Sequence, residues 1–414
     1  MDAEPATDDR STARRLPRNV KVLGWASLLN DVATEMVYPL LPKFLFTVLG
    51  GDMTWLGTID GTAESLSSLV KLWSGNRIDR GGRHKWFVVF GYGLAALTRP
   101  LAAVVQLPWQ LFGVRVAERL GKGVHAAPRD AMIADSAAPE IRGRAFGFRQ
   151  SMDHVGAAVG TLAAAGFLLL WPGSIRTLFL LTLLPGVAVV ALLWLGLRSP
   201  PAGKRGTGTV CRNGPEGASH KRSLSPFFPF DRKFRFYLLA LVIFTLGNSS
   251  DLFLLARASK LGMADWMLPV LWCAFGVVKS VGNVFSGRAV DRVGPRPMIL
   301  LGWLIYAVIY LAFGFASSAW HMWVLFIAYA FFYALTEPAE KTLVANLVGP
   351  GRRGLAYGWY NGAIGIATLP ASVLFGWLYD AFGARVAFGV GAGLALLAAV
   401  LLWRLCRPQP VAEI

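Results

Sequence analysis

Charge is scarce in this chain. Only 16% of its 414 residues are Asp, Glu, Lys or Arg, where soluble globular chains carry about 25%. Cysteine is scarcer still. Cys211, Cys273 and Cys406 are the three present, and their spacing offers neither a disulfide framework nor a thiolate metal site. The five histidines are scattered and form no metal-binding tract, so no soft-metal site is expected, although acidic stripes leave room for a hard or borderline cation. No G-x-x-x-x-G-K-[ST] loop is available to cradle phosphates, which argues against a nucleotide-driven pump. No nucleophile–base arrangement points to an enzyme, and no cofactor is implied. Residues 1–20 lack the short apolar core and small-residue cleavage site of a signal peptide. The first apolar segment is therefore expected to stay in the mature protein.

What the chain has in abundance is apolar length. Hydrophobic residues make up 55% of it, and the mean hydropathy is +0.49. Apolar runs of roughly 20 residues recur, each enough to cross about 30 Å of hydrocarbon. With 45 glycines and 15 tryptophans, the composition fits glycine-tolerant membrane helices and aromatic belts. The runs predict an all-α integral membrane protein with twelve transmembrane helices, at roughly 21–48, 54–76, 86–106, 108–136, 145–171, 176–197, 235–257, 264–289, 297–317, 319–343, 354–378 and 383–405. Residues 198–234, rich in Pro, Gly, Ser, Lys and Arg, read as a linker. The expected organisation is a tail at 1–20, a six-helix bundle at 21–197, the linker, a second bundle at 235–405 and a tail at 406–414.

A net charge of +17 would suggest nucleic acid in a soluble protein, but no groove-reading module is visible and nucleic acid is not an expected partner. The bases instead gather on alternate loops. One side carries Arg10, Arg14, Arg15, Arg18, Arg77, Arg80, Arg83, Lys85, Arg142, Arg144, the basic linker, Arg288, Arg292, Arg296, Arg352 and Arg353, while the opposite loops are short and poor in Lys and Arg. The positive-inside rule places both termini in the cytoplasm, as an even number of spans requires. The expected setting is the inner membrane, with a lipid bilayer as surroundings and a monomer as the assembly.

The chain also repeats itself. Gly75-Asn-Arg-Ile-Asp-Arg-Gly-Gly-Arg-His-Lys85 returns about 212 residues later as Gly287-Arg-Ala-Val-Asp-Arg-Val-Gly-Pro-Arg296. Arg142-Gly-Arg-Ala-Phe-Gly147 matches Arg353-Gly-Leu-Ala-Tyr-Gly358, and Pro128 with Asp130 matches Pro338 with Glu340. Two parallel six-helix repeats imply a substrate path between pseudo-symmetric halves at mid-membrane depth. On these motifs the sequence resembles the major facilitator superfamily over nearly its whole length. Gly75, Asp79, Arg80, Gly82, Arg83 and Lys85 fill that superfamily's G-x-x-x-D-R-x-G-R-[RK]-K pattern, and Gly287, Asp291, Arg292, Gly294 and Arg296 fill it a second time, while Pro295 and Pro297 depart from it. Arg119, Gly123, Ala126 and Ala127 meet the family's R-x-x-x-G-x-x-A-A pattern in the fourth helix.

The resemblance implies that the charged loop is a latch. Asp79 would sit at the N-terminal end of the eleventh helix, where unpaired N–H groups await an acceptor, and Arg83 would pair with Asp79 or Asp135. The plainer alternative is a topology signal. The fifth helix carries Gly156, Gly160, Thr161 and Gly166. Small residues four apart let helices pack closely, and Thr161 stands where exporters of the superfamily often carry proline, so export is only mildly favoured.

Ionisable residues inside a membrane are expensive and usually face a cavity. Helical spacing sorts them here into stripes: Asp31 and Glu35 with Thr34 and Tyr38 on the first helix, Asp60, Glu64 and Lys71 on the second, and Arg115, Arg119, Lys122, His125 and Arg129 on the fourth. Arg99 joins from the third helix and Arg149, Asp153 and His154 from the fifth. The other half offers Asn248 and Asp251 on the seventh, Lys279 on the eighth and Glu337 on the tenth, just before Pro338, where a break would free carbonyls. Asp31, Glu35 and Asp251 are the candidate proton carriers; Tyr38, Asp60, Glu64, Lys71, Arg99, Arg115, Arg119, Lys122, Asn248, Lys279 and Glu337 are the candidate cavity. The alternative is that the acids are permanently paired with Arg99, Arg115 or Arg119. The expectation is a proton-coupled secondary transporter of a small solute, with efflux slightly favoured. Two readings stay open beside it: movement of an anionic metabolite on the arginines of the third and fourth helices, and a sensor or lipid-handling protein without transport.

Overall fold

A computed structural model of the chain describes residues 16–79, 84–137, 141–198, 230–348 and 353–405. Among them the fold is all helical, in twelve successive segments. α1 runs over Arg18–Glu35, passes through a single 3-10 turn at Tyr38–Leu40 and ends as Leu41–Thr47. It is followed by α2 (Met53–Asp79), α3 (His84–Thr98, continued by a 3-10 stretch Arg99–Ala103), α4 (Pro108–Ser136), α5 (Arg142–Leu170) and α6 (Ile175–Leu181 with Leu183–Gly196). The second half holds α7 (Arg232–Gly247 with Leu252–Lys260), α8 (Met267–Val293), α9 (Pro295–Phe315), α10 (Ala319–Leu347), α11 (Arg353–Phe382) and α12 (Ala384–Leu405).

Eight of these segments are long and apolar enough to cross a membrane on composition alone. The segments that fall short are α1, α2, α4 and α8, the ones that carry polar stripes or, in α8, a shorter apolar stretch at Met267–Asn283. Large apolar side chains elsewhere point outward, with Leu195 at 79% and Leu184 and Val308 at 69% exposure, as a lipid-facing surface requires.

The duplication is visible in the packing. In the first half α1 packs on α5 and α6, α2 on α4, and α3 on α4 and α6. The second half repeats this, with α7 on α11 and α12, α8 on α10, and α9 on α10 and α12. The small residues of α5 do what their spacing predicts, since methyl groups at Gly156 and Gly160 would overlap the carbonyls of Leu28 and Val32 on α1. The second copy of the charged motif is also explained locally. Gly294 joins α8 to α9 alone, at φ 91°, a conformation that favours glycine. Pro295 then opens α9, where its missing N–H costs nothing.

The two halves meet at the end away from the termini. Asp380 on α11 accepts the backbone N–H of Met53 and Thr54 at 3.2 and 2.7 Å and the Thr54 hydroxyl at 2.7 Å. Its charge thereby caps the start of α2. Lys43 pairs with Asp265 across the same end. Deeper in, methyl groups at Gly57 and Gly61 would meet Ser372 and Leu369 of α11, and Ser65 donates to the Gly365 carbonyl at 2.6 Å. One apolar core spans both halves here, from Phe44 and Met53 to Phe253 and Phe375. Methyl groups at Gly358 and Gly362 of α11 would meet nothing within 4 Å, and the first half keeps a separate core around Val20, Val88, Met132 and Leu193. Among the described residues the halves are joined at the far end, while these α11 glycines nearer the termini face open space.

Candidate functional site

Two breaks in the helices shape the site. α1 loses its regular bonding after Glu35, ahead of Pro39, which has no N–H to donate. About 212 residues on, α7 breaks at Asn248–Asp251. This gap is held by the Tyr306 hydroxyl donating to the Gly247 carbonyl at 2.9 Å and by a hydroxyl pair between Ser249 and Tyr310. Those tyrosines belong to a continuous stack of rings including Phe244, Trp303, Tyr329 and Phe332. The same stack fixes the partners of Asp251, whose carboxylate accepts the hydroxyls of Tyr329 at 2.8 Å and Tyr333 at 3.2 Å. Asn248 lies at the edge of this group, 3.5 Å from the Tyr329 hydroxyl.

In the first half, spacings of three and four put Arg115, Glu118, Arg119 and Lys122 along one face of α4. Glu118 is the centre of this face. It accepts Arg99 Nε at 2.9 Å and pairs with Arg115, whose other nitrogen reaches Asp60 at 3.5 Å. Arg99 also donates to the Thr34 hydroxyl at 2.9 Å and to Asn30 at 3.4 Å. Arg99, Arg115, Glu118 and Asp60 are all buried, so each charge needs the others to remain ionised out of water. Asp60 has a second role: its other oxygen accepts the Ser250 hydroxyl of the opposite half at 2.5 Å. Arg119 pairs with Glu64 at 3.1 Å, and Lys71 reaches the same carboxylate at 3.9 Å.

The acids of α1 stand apart from this network. Sequence spacing sets them opposite the bases of the third and fourth helices, but Glu118, a residue that reading passed over, takes Arg99 and Arg115 instead. Among the described residues neither Asp31 nor Glu35 is in an ion pair. Asp31 accepts only Asn30 Nδ2, at 3.1 Å. Glu35 accepts the indole N–H of Trp272 on α8 at 2.8 Å, across the halves. Trp272 lies between Tyr38, at 5.3 Å between ring centroids, and Phe275, at 5.0 Å. Lys122 is exposed, and its surrounding charges are Arg119, Glu64, Lys71 and Asp31; among the described residues it has no ion pair.

On the far wall Lys279 pairs with Glu337 at 3.5 Å and lies over the Tyr333 ring at 4.3 Å. Asn283 and Lys341 also hold Glu337, at 3.2 and 3.5 Å. The break expected at Pro338 is absent. α10 runs unbroken through it, and Thr342 donates to the Pro338 carbonyl at 2.8 Å. The unwound carbonyls belong to α1 and α7 instead. His125 and Arg129, which share the α4 stripe, turn away from the site: His125 stacks on Tyr92 at 3.8 Å and Arg129 bonds the Tyr92 hydroxyl at 3.3 Å. Arg149 is taken by Asp153 on its own helix.

Of the latch residues, Arg80, Gly82 and Arg83 lie outside the described residues, as do the side chains of Asp79 and Asp291. Gly75 and Asp79 fall in the last turns of α2, Gly287 and Asp291 in those of α8. Asp135 lies 3.9 Å from His84 Nε2, and Arg292 is exposed. The pairing expected of Arg83 falls outside what is described.

Comparison with known proteins places a fold of two like halves. The family model for the Major Facilitator Superfamily matches residues 23–276 and again 262–414. The chain belongs to the Major Facilitator Superfamily. An uncharacterized MFS-type transporter of Methanocaldococcus jannaschii is 27% identical over 397 residues, covering 94% of this chain and 95% of the relative. The multidrug resistance protein MdtH of Proteus mirabilis is 25% identical over 374 residues, covering 83% of each. Among solved structures, the nucleoside transporter NupG superposes with a TM-score of 0.72 at 12% identity, over 94% of this chain and all of that one. At that identity the likeness is one of fold. As a Major Facilitator protein the chain is a multi-pass membrane transporter, and the cleft between its halves is its candidate substrate path.

Proposed function

We propose that this chain is a proton-coupled secondary transporter that moves a small solute across the inner membrane by alternating access, with both termini in the cytoplasm. The observation that carries the reading is the Glu35–Trp272 bond at 2.8 Å. A carboxylate in a membrane helix, free of ion pairs among the described residues, is itself part of a contact between the two halves. A proton on Glu35 weakens a charge-assisted hydrogen bond to a neutral one. Proton occupancy and closure are thereby linked, which is what coupling requires. Asp31, one turn away and likewise without an ion pair, is the second carrier, and Asp251, held by two tyrosines, is the third. The MdtH relative supports efflux as the direction, and the basic linker and inner loops support cytoplasmic termini.

Proteoliposomes loaded with a pH-sensitive dye test this. Solutes that are carried should evoke proton movement, and Asp31→Asn or Glu35→Gln should abolish it while the protein still folds. Solute flux of equal size with and without a proton gradient would overturn the coupling.

A further inference from the structure

The charges of the cleft are not evenly matched, and the mismatch points to cargo. Lys71 and Arg119 share one carboxylate, Glu64, and Lys122 stands one turn along α4 from Arg119 with no ion pair among the described residues. Their closeness follows from how α2 meets α4: a methyl group at Gly123 would touch the Ser67 carbonyl and Val70, and Ser74 donates to the Gly123 carbonyl at 3.0 Å. The stretch of α2 bearing Ser67 and Lys71 is thus set directly against the turn of α4 bearing Lys122. Two buried side chains on this border keep unmet hydrogen-bonding groups. Among the described residues Arg119, at 8% exposure, has no acceptor for its Nε, and the Ser67 hydroxyl, at 0% exposure, has no partner. Base therefore exceeds acid here, with spare donors present.

The opposite holds on α1. Among the described residues Asp31 is a carboxylate without an ion pair, and Lys122 and Arg129 are the cations whose fields reach it. Further along α1 stand Glu35 and Tyr38, and the Trp272 ring of the second half lies against both. We infer that the cleft binds a zwitterionic solute with a flat apolar body, its anionic group at Lys122 and Arg119 and its cationic group at Asp31. Neither charged end alone satisfies both walls. An anion leaves Asp31 unmet, and a cation leaves Lys122 unmet beside the two bases on Glu64. The rings of Tyr38 and Trp272 supply the apolar contact that planar bodies favour. Arg99 and Arg115 take no part, because Glu118 and Asp60 already occupy them. The inference rests on the transport reading for its purpose but not for its test.

The test is equilibrium binding to the full-length protein in detergent, with two probe families. One is tryptophan with indole-3-propionate, tryptamine and N-acetyltryptophanamide. The other is 4-(aminomethyl)benzoate with 4-methylbenzoate and benzylamine. In at least one family the zwitterion should bind about 10-fold tighter than either singly charged analogue. Lys122→Gln should remove the preference for the carboxylate, with Lys122→Arg restoring it. Asp31→Asn should remove the preference for the amine alone. If no zwitterion outranks its analogues, or if the ranking survives Lys122→Gln and Asp31→Asn in folded protein, the assignment is wrong. Binding with this ranking but no dye response in vesicles would keep the site and overturn the transport reading.

Discussion

Trp272 of α8 donates to Glu35 of α1 at 2.8 Å, and this bond joins the two halves at the level where α1 breaks. Trp272→Phe keeps the ring between Tyr38 and Phe275 but removes the donor. The expected result is a shift of about 1 kcal/mol toward opening of the far end, seen as faster labelling of a cysteine placed at Val48 by a membrane-impermeant reagent. Glu35→Gln, which keeps an acceptor but loses the charge, should shift it less. Equal labelling in all three proteins would remove this bond from the gate.

Asp380 is the second closure. It meets three donors at the start of α2, so Asp380→Asn retains some bonding and Asp380→Ala none. Asp380→Ala should favour opening of the far end by about 1–2 kcal/mol, roughly 10-fold in population. Spin labels at Val48 and Trp266 would report it as a longer distance. An unchanged distance distribution would show that the cap is incidental.

Glu118 tests the structural network separately. Glu118→Gln leaves Arg99 and Arg115 buried with a single remaining carboxylate, Asp60, between them. Breaking a buried ion pair from one side costs about 3–5 kcal/mol. The thermal unfolding midpoint in detergent should fall markedly. By contrast Lys122→Gln, at an exposed and unpaired position, should leave it nearly unchanged.

Gly362 separates fold from cycling. It faces open space in this state, so Gly362→Phe should fold and keep the far end closed. It should block the approach of α11 to α2 that closing the near end requires, and so stop turnover. Normal turnover would mean the halves do not close there.

Much of this was readable in the sequence. The apolar runs fell on helices within a few residues among the described residues, and eight of these are long and apolar enough to cross a membrane. The duplication was readable because both copies keep their charged turns. Spacing of three and four put Arg115, Arg119 and Lys122 on one stripe of the fourth helix, though His125 and Arg129 of the same stripe turn to Tyr92. Pairing was not readable. Glu118 sits three residues after Arg115, a spacing that invites a bond, yet among so many acids only geometry chooses its partners. Trp272, Tyr329 and Tyr333 read as ordinary membrane aromatics, and their polar tips matter only because α1 and α7 bring carboxylates to them. The breaks followed the same pattern: Pro338 is a strong break signal but lies in an unbroken helix, whereas Asn248–Asp251, without proline, is where α7 opens.

The central claim is that proton occupancy on α1 moves the two ends of the cleft in opposite senses. Electron–electron distance measurements on two spin-label pairs, Val48 with Trp266 at the far end and Leu72 with Asn361 at the near end, test it most directly in lipid. Acidification, or Glu35→Gln with Asp31→Asn at neutral pH, should lengthen the first distance and shorten the second. Distances that ignore both pH and the substitutions, or that change in the same sense, would contradict the account.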